Sequence, residues 1–340
     1  MASGTTGRPA TIYDVAARAK LSIATVSRVL QGTGPVSARA RARVDQAAQE
    51  LNYVPLRAAR SLAVQRHEAH GLVLPDLAGP FYGDLLMGYE RWAGEHGQSV
   101  VITVTHGNPD PRRSVRDLAG RVDGIVVHGN ALDLPTIQTV RKAGVPLVLI
   151  AHPPVTGCDS VRSESAASAE QLTTRLLDHG RTNLLFVGDP ASSYDVSERY
   201  AGFAQAHVRR GLEAPEPERV PLTEEAGSEV AEKVLKAINR PDGLVCANDE
   251  LALAALTTCG AHGVGVPEEM VVSGWDDVMA ARYVSPGLTT VRQPMIELGR
   301  LAALRLHERV TRQRTRARND VLATQLVLRD SCGTNQGTQQ

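Results

Sequence analysis

Apolar residues recur at helical spacing close to the start of the chain. The pattern predicts a first helix that begins after Thr11, with Asp14 three residues further on in the position of a capping box. A three-to-four-residue spacing places one apolar stripe on this helix, formed by Val15, Ala16 and Ala19. The next residues, Lys20 and Leu21, are expected to form a tight turn.

A second and a third helix follow at once. Ser22 is expected to cap a helix over 23–31, and Ser37 to cap another over 38–51, with a break at Gly32–Pro35 between them. The inward positions of these two helices are expected to be Val26, Val29, Leu30, Val44, Ala47, Ala48 and Leu51. Two short helices joined by a tight turn are typical of a helix-turn-helix, a motif that places its second helix in the DNA major groove.

From Gly71 the pattern changes to short apolar runs that alternate with amphipathic segments. The runs predict strands at 72–74, 100–104, 124–127, 146–150, 184–187, 243–246 and 271–273. The segments predict helices at 81–97, 134–143, 166–179, 196–210, 229–238, 250–262 and 295–310. Alternating strands and helices favour two doubly wound parallel-sheet α/β lobes behind an all-α head. The first crossover between the lobes is predicted at 151–159.

The distribution of charged residues supports the division into head and body. The 340-residue chain has no net charge, but residues 1–70 hold ten Lys and Arg against four Asp and Glu. A basic head on an acidic body suits a protein that binds phosphates with one end. The four cysteines have no CxxC spacing, and the histidines show no metal spacing, so neither a metal nor a cofactor is predicted. Since no signal peptide and no apolar run of about 20 residues is visible, a cytoplasmic protein without a membrane contact is expected.

Arg28 is the candidate for direct base contact. It lies in the second helix, whose start carries small side chains that allow a close approach to the groove, and its forked donors fit a guanine edge. The alternative is a plain three-helix bundle with a solvated basic face. The caps, the turn, the arginine and the charge bias together favour DNA binding.

The chain resembles the lactose/galactose-repressor (LacI/GalR) family. In the head the resemblance rests on Thr11-Ile-x-Asp-Val-Ala, Ser22-x-x-Thr-Val-Ser-Arg-Val-Leu30, Leu51-Asn-Tyr-x-Pro55 and Ala59-Arg-Ser-Leu62. In the body, which also resembles periplasmic sugar-binding proteins, it rests on Arg121-Val-Asp-Gly-Ile125, Ala247-Asn-Asp-Glu-Leu-Ala252, Val272-Ser-Gly-Trp-Asp-Asp277 and Ser285-Pro-Gly-Leu-Thr-Thr-Val-Arg-Gln-Pro294.

This resemblance implies the roles of particular residues. Base contacts are expected from Ile23, Ala24 and Arg28, and phosphate contacts from Thr11, Ser22, Thr25 and Ser27. In a hinge over 56–70, Leu62 is expected to wedge into the minor groove, and Ala59 to keep two paired hinge helices close. The effector cleft is expected to be lined by Phe81, Arg199, Asn248 and Asp276, although Asn248 and Asp276 could instead cap the helices that follow them.

The chain also departs from the family pattern. Ala151-His152 stands where an acid and a base are common, Glu164-Ser165 replaces a usual Asp-Asn pair, and Leu222 falls where an aromatic residue often stacks on the ligand. These departures bear on the class of effector and leave the fold unaffected.

The sequence therefore predicts a DNA-binding transcriptional regulator, a repressor by expectation, and not an enzyme. Its domains are expected at 1–55 (head), 56–70 (hinge), 71–330 (effector binding and dimerisation) and 331–340 (tail). The expected partners are a near-palindromic operator, a sugar-like or nucleoside-like effector and a second copy of the chain. The helices at 81–97 and 295–310 are candidate dimer surfaces. A solute-binding protein, or a sugar- or nucleoside-modifying enzyme with an added DNA head, are the alternatives.

Overall fold

The computed structural model describes residues 8–32, 34–54, 66–79 and 81–333, which divide into two compact units between His67 and Glu68. The first unit, called the head, contains α1 (Ile12–Ala19), α2 (Ile23–Gln31) and α3 (Ala38–Glu50). These bounds agree closely with the predicted helices.

Local sequence signals account for the head's helix ends. Thr11 accepts from the backbone N–H of Asp14, whose carboxylate accepts from the Thr11 N–H at 2.8 Å, so the predicted capping box is confirmed. Ser22 and Ser37 cap α2 and α3 through their hydroxyl groups. The helices bury a small shared core, formed by Val15, Ala16, Ala19, Val26, Val29, Val44 and Ala47.

The second unit, called the body, alternates strands and helices along most of its length. Its strands are β1 (Ala69–Leu74), β2 (Ser99–Val104), β3 (Gly124–His128), β4 (Leu147–Ile150), β5 (Asp159–Ser163), β6 (Leu184–Val187), β7 (Gly243–Cys246), β8 (Val271–Ser273), β9 (Thr290–Arg292), β10 (Asn319–Leu322) and β11 (Gln325–Val327). Its α-helices are α4 (Phe81–Glu95), α5 (Pro111–Ala119), α6 (Leu134–Lys142), α7 (Ala166–Asp178), α8 (Tyr194–Arg209), α9 (Glu224–Leu235), α10 (Asp249–Ala261) and α11 (Met295–Val310).

The first lobe of the body is built on a six-stranded parallel sheet with the order β10-β5-β4-β3-β1-β2. Alternate residues of its strands enter two different cores. Leu72 and Val126 join the core beneath α4 and α11, whereas Val73 and Ile125 join the core beneath α5 and α6. A sheet covered on both faces explains why its central strands are continuously apolar.

The second lobe contains the parallel sheet β6-β7-β8, extended by isolated parallel bridges from Val187 to Glu218 and from Ser273 to Thr289. Helices α7 to α10 contribute to its single large core, which includes Phe186, Phe203 and Trp275. The predicted architecture, a helical head and two parallel-sheet lobes, is confirmed. An antiparallel pair, β9 with β11, adds to it.

The predicted position of the first crossover is wrong. The segment after Ala151 returns to the first lobe, because β5 pairs in parallel with β4. The chain crosses after Ser163 instead, returns to the first lobe between β9 and α11, and crosses again between β10 and β11.

Strand β5 escaped prediction because its sequence is polar, and its polarity is satisfied by distant residues. Asp159 is fully buried and forms two 2.9 Å bonds with the guanidinium of Arg314. The backbone N–H of Arg318 also donates to this carboxylate, at 2.5 Å. Part of the arginine-rich segment 312–318 thus serves to hold an edge of the sheet.

Two predicted boundaries differ from the structure. Strand β1 begins at Ala69, inside the predicted hinge segment. Ser331 and Cys332 are buried although they fall in the predicted tail, and the hydroxyl of Ser331 donates to the Val272 carbonyl at 2.6 Å.

Candidate functional site

The head exposes one face of its second helix. Ser22, Ile23, Ala24 and Arg28 are exposed, and Thr25 and Ser27 are half-buried, whereas Val26 and Val29 point into the core. Ile23, an apolar residue, is 44% exposed. The side chains predicted to contact bases therefore share a surface that the head's own core does not use.

Hydrogen bonds at the start of α2 hold its polar residues in place. The Ser22 hydroxyl accepts from the Thr25 N–H at 3.2 Å and lies 2.9 Å from the Thr25 hydroxyl. The helix N-terminus and these hydroxyls are groups that bind phosphate oxygens. Thr11 is half-buried in the capping box of α1, and Tyr13, which sequence reasoning missed, is 66% exposed beside it.

Arg43, expected to point outward from α3, has a structural contact. Its guanidinium donates to the carbonyl of Ala19 and, at 3.2 Å, to that of Lys20. It therefore satisfies carbonyl groups at the end of α1 and supports the turn. Arg39 and Arg41 are exposed as expected. Ala59 and Leu62, the predicted hinge contacts, lie outside the described residues.

A cleft of about 410 Å³ lies between the two lobes of the body. Residues that follow strand ends of both lobes line it, as expected for parallel sheets, whose carboxyl ends face the ligand crevice. The four predicted effector residues Phe81, Arg199, Asn248 and Asp276 all line this cavity.

Arg199 lies on α8 and is 5% exposed. It donates to the Ala247 carbonyl at 2.6 Å, and its guanidinium carbon lies 4.7 Å from the centre of the Trp275 ring. A cation over an aromatic face is stabilised by the ring quadrupole. These contacts fix the guanidinium at the cleft wall.

Asn248 caps the helix that follows it, a role that the sequence offered as an alternative to ligand contact. Its Oδ1 accepts from the Leu251 N–H at 3.0 Å and caps α10, while its Nδ2 donates to the Leu222 carbonyl at 3.3 Å. Capping does not remove it from the cleft, because the residue also lines the cavity.

Asp276 is held in an unusual backbone conformation, with φ of 117°. Its carboxylate accepts from Nε2 of Gln293 at 2.6 Å, and its N–H donates to the Val291 carbonyl. Burial raises the pKa of Asp276 to about 6, against the opposing effect of the Arg199 charge. It caps no helix, so the capping alternative fails for this residue.

Buried polar contacts around Asp276 hold this conformation. The side chain of Asp277 is 1% exposed and bridges Arg292 and Arg329 at 2.6 and 2.5 Å. Asp249 accepts from the Val278 N–H at 2.8 Å and from the Thr290 hydroxyl at 2.6 Å. Strained backbone that is held by its surroundings often occurs at binding sites.

Sequence reasoning missed several cleft residues on the first lobe. His128 ends β3 and is 7% exposed, and its ring packs edge-on against Phe81 and Tyr82. Asn130 reaches across the cleft and donates to the Ser192 carbonyl at 2.9 Å. Their positions in the sequence could have identified them, because both lie at or just after the end of a buried strand.

The structure also defines the contacts of the positions at which the sequence departs from the pattern of the family it resembles. Ala151 and Leu222 line the cleft, and Ala151 adopts a positive φ of 52°. Glu164 accepts from the N–H groups of Ala167 and Ser168, which makes it a cap for α7. The cleft thus has a small and an aliphatic residue at these two positions.

The described residues contain no group of three or more His, Cys, Asp and Glu side chains arranged to hold a metal ion. In the same ranges, no helix is long and apolar enough to cross a membrane.

A helix-turn-helix head and a two-lobed body, with a cleft lined by both apolar and charged side chains, define a DNA-binding protein with a ligand site. Residues 11–55 match the family described as bacterial regulatory proteins, lacI family, and residues 173–332 match the periplasmic binding protein-like domain. The HTH-type transcriptional regulator CelR of Thermobifida fusca is 32% identical over 335 residues, covering 95% of this chain and 98% of CelR. The chain therefore belongs to the LacI family of bacterial transcriptional regulators.

Solved structures agree with this assignment. A CelR–cellobiose complex is 31% identical, with a TM-score of 0.73, and covers 95% of this chain and 99% of its own. The lac repressor dimer bound to operator and an anti-inducer is 27% identical, with a TM-score of 0.85, and covers 96% and 99%. The prediction of a DNA-binding transcriptional regulator is confirmed.

Proposed function

We propose that this regulator binds a near-palindromic operator as a homodimer, in the cytoplasm, and that a small hydroxyl-rich molecule in the cleft changes its operator affinity. The observation that carries the proposal is the convergence of Phe81, Arg199, Asn248 and Asp276 on one cavity between the lobes. Closure or rotation of two lobes around a ligand is a common way to transmit binding to a distant surface.

The exposed face of α2 supports the DNA contacts. Ile23 and Ala24 offer apolar contacts to base edges, and the Arg28 fork matches the O6 and N7 acceptors of guanine. Thr11, Ser22, Thr25 and Ser27 supply hydroxyl groups for phosphates. For Ala59 and Leu62, the proposed minor-groove contact rests on the family resemblance alone.

The cleft chemistry supports a polar effector. The Asp276 carboxylate can accept from two neighbouring hydroxyl groups, Arg199 and Asn248 can donate to others, and the Phe81 ring can cover an apolar face of the ligand. The solved CelR complex contains cellobiose, which favours a sugar-like effector. A nucleoside-like effector fits the same donors and acceptors.

A homodimer is supported by exposed apolar residues of the body. Met87 on α4 is 49% exposed, and Met279 and Tyr283 are 70% and 77% exposed. Helix α11 also presents a surface, because Ile296 is 44% exposed and the side chains of Glu297 and Arg300 are 46% and 42% exposed. Both α4 and α11 therefore stay candidate dimer surfaces.

Selection of binding sites from a randomised DNA library with the full chain tests this proposal. We expect a near-palindromic consensus sequence, with Arg28→Ala losing about 1–3 kcal/mol on that sequence and discriminating less at one base pair of each half-site. Arg39→Ala is the matched control, because it removes an exposed arginine of α3. Equal losses for Arg28→Ala on selected and random DNA would contradict a base contact, and enrichment of no sequence would contradict operator binding.

A further inference from the structure

The cleft carries more negative than positive charge. Among the described residues that line it, Asp76, Asp195, Glu250 and Asp276 are acidic, and Arg199 is the one Lys or Arg. The Arg199 charge is already shared, because it opposes the rise in pKa that burial causes at both Asp195 and Asp276. An anionic ligand would therefore find no free cation among these residues.

The helix N-termini at the cleft do not offset this charge. The first turn of α8 carries Asp195, and that of α10 carries Asp249 and Glu250. The side chains of Ser193 and Asn248 already accept from backbone N–H groups of these turns. A helix start normally attracts phosphate through its free N–H groups and its dipole. Here the acidic side chains oppose the dipole, and the capping side chains already accept from N–H groups.

His128 supplies an independent sign of a ligand. It is more than nine-tenths buried and lines the cleft, yet neither ring nitrogen has a hydrogen-bond partner among the described residues. Burial lowers its pKa to about 4, so the ring is neutral at physiological pH. A neutral imidazole offers one donor and one acceptor, and leaving both unpaired when buried is costly.

We propose that the cleft selects an uncharged, hydroxyl-rich effector over its phosphorylated or carboxylated counterparts, and that His128 contacts this ligand through a hydrogen bond. The inference rests on the proposed function, because it takes the cleft to be the effector site. A hydroxyl group can both accept from and donate to imidazole. A phosphate or carboxylate would instead meet the carboxylates of Asp195, Glu250 and Asp276 in a partly dry cavity, where like charges repel strongly.

Matched ligand pairs test the charge selection. The full chain would be titrated with cellobiose and cellobiose 6′-phosphate, glucose and glucose 6-phosphate, ribose and ribose 5-phosphate, and adenosine and its 5′-monophosphate, with melting temperature and calorimetry as readouts. We expect at least one uncharged member to bind, and its anionic counterpart to bind at least about tenfold more weakly. An anionic member that binds as tightly as its uncharged counterpart, or failure of every uncharged member to bind, would overturn the proposal.

Two variants separate a ligand contact from a structural role. His128→Phe keeps a ring of similar shape and removes both unpaired nitrogens, so the unliganded protein should melt at the same or a higher temperature. Affinity for the uncharged ligand should fall about tenfold or more. A lower melting temperature with unchanged ligand affinity would make His128 a structural residue and refute the contact.

Glu250→Gln tests the charge by a second route. Removing this charge without changing shape should improve binding of the anionic counterpart relative to the uncharged ligand by severalfold. Glu229→Gln, at an exposed position on α9, is the matched control and should leave the ratio unchanged. An unchanged ratio in Glu250→Gln would contradict charge selection. Operator binding without ligand, measured on the same protein, distinguishes failure of this inference from failure of the proposed function.

Discussion

A close contact between α4 and α11 in the first lobe depends on two glycines. A Cβ atom on Gly88 of α4 would lie 1.9 Å from the carbonyl oxygen of Ile296 in α11. On the other side of the same contact, a Cβ atom on Gly299 would lie 2.1 Å from the Leu85 carbonyl oxygen. Both obstacles are backbone atoms, which no change of rotamer can move, so Gly88→Ala must force the two helices apart.

The magnitude follows from two opposing effects. Overpacking a well-packed contact costs about 1–3 kcal/mol, and a clash with backbone belongs at the upper end, about 3 kcal/mol. Replacing glycine by alanine in a helix returns about 1 kcal/mol. The net loss of about 2 kcal/mol corresponds to a melting temperature lower by roughly 3–4 °C for a unit of this size.

Gly94→Ala provides a matched control on the same helix. A Cβ atom there would meet its nearest neighbour, Oε1 of Glu90, at 3.7 Å, which is an ordinary contact. Calorimetric unfolding should show Gly94→Ala at or slightly above the wild-type melting temperature and Gly88→Ala well below it. If Gly88→Ala were as stable as Gly94→Ala, the close backbone contact between α4 and α11 would be refuted.

Two other predictions concern the cleft and its support. Because burial raises the pKa of Asp276 to about 6, its carboxylate loses charge as the pH falls from 7 to 5, and affinity for an uncharged sugar or nucleoside effector should fall by about tenfold. Calorimetric titration with the effector at the two pH values tests this prediction. Asp276→Asn should bind the effector weakly and with little pH dependence. A wild-type affinity that is the same at pH 7 and pH 5 would contradict the prediction. Asp277→Ala leaves Arg292 and Arg329 without their shared buried carboxylate, so urea unfolding should show a loss of about 3 kcal/mol, and a loss below about 1 kcal/mol would show that the ion pairs contribute little.

Some cleft residues were predictable because their positions follow from strand order. Asn248 and Asp276 lie two and three residues after the ends of apolar strands, and parallel strands bring such positions to one edge of a sheet. His128 and Asn130 occupy equivalent positions on the first lobe, but a histidine at a strand end has many structural roles. Its importance emerged from burial without a partner, which is a property of the packed structure.

The polar strand β5 and the arginine-rich segment 312–318 also show why a sequence pattern alone could not predict every element. A sequence pattern recognises a strand through apolar residues, whereas β5 contains Asp159 and Arg162 and depends on pairing with β4 and β10. The partner of Asp159, Arg314, is 155 residues away in the chain. No local rule connects two such positions, so the crossover was predicted too early.

The sequence by itself determined the head and the order of most body elements. Helix caps such as Thr11 and Ser22 act on N–H groups three residues away, and the spacing of apolar residues decides whether a segment forms a helix or a strand. Only the tertiary structure decided that Arg43 supports a turn, that Gly88 and Gly299 bring α4 and α11 into close contact, and that four carboxyl groups share one cleft. These features depend on contacts between atoms from distant parts of the chain. Such contacts, and the burial that comes with them, exist only in the folded protein.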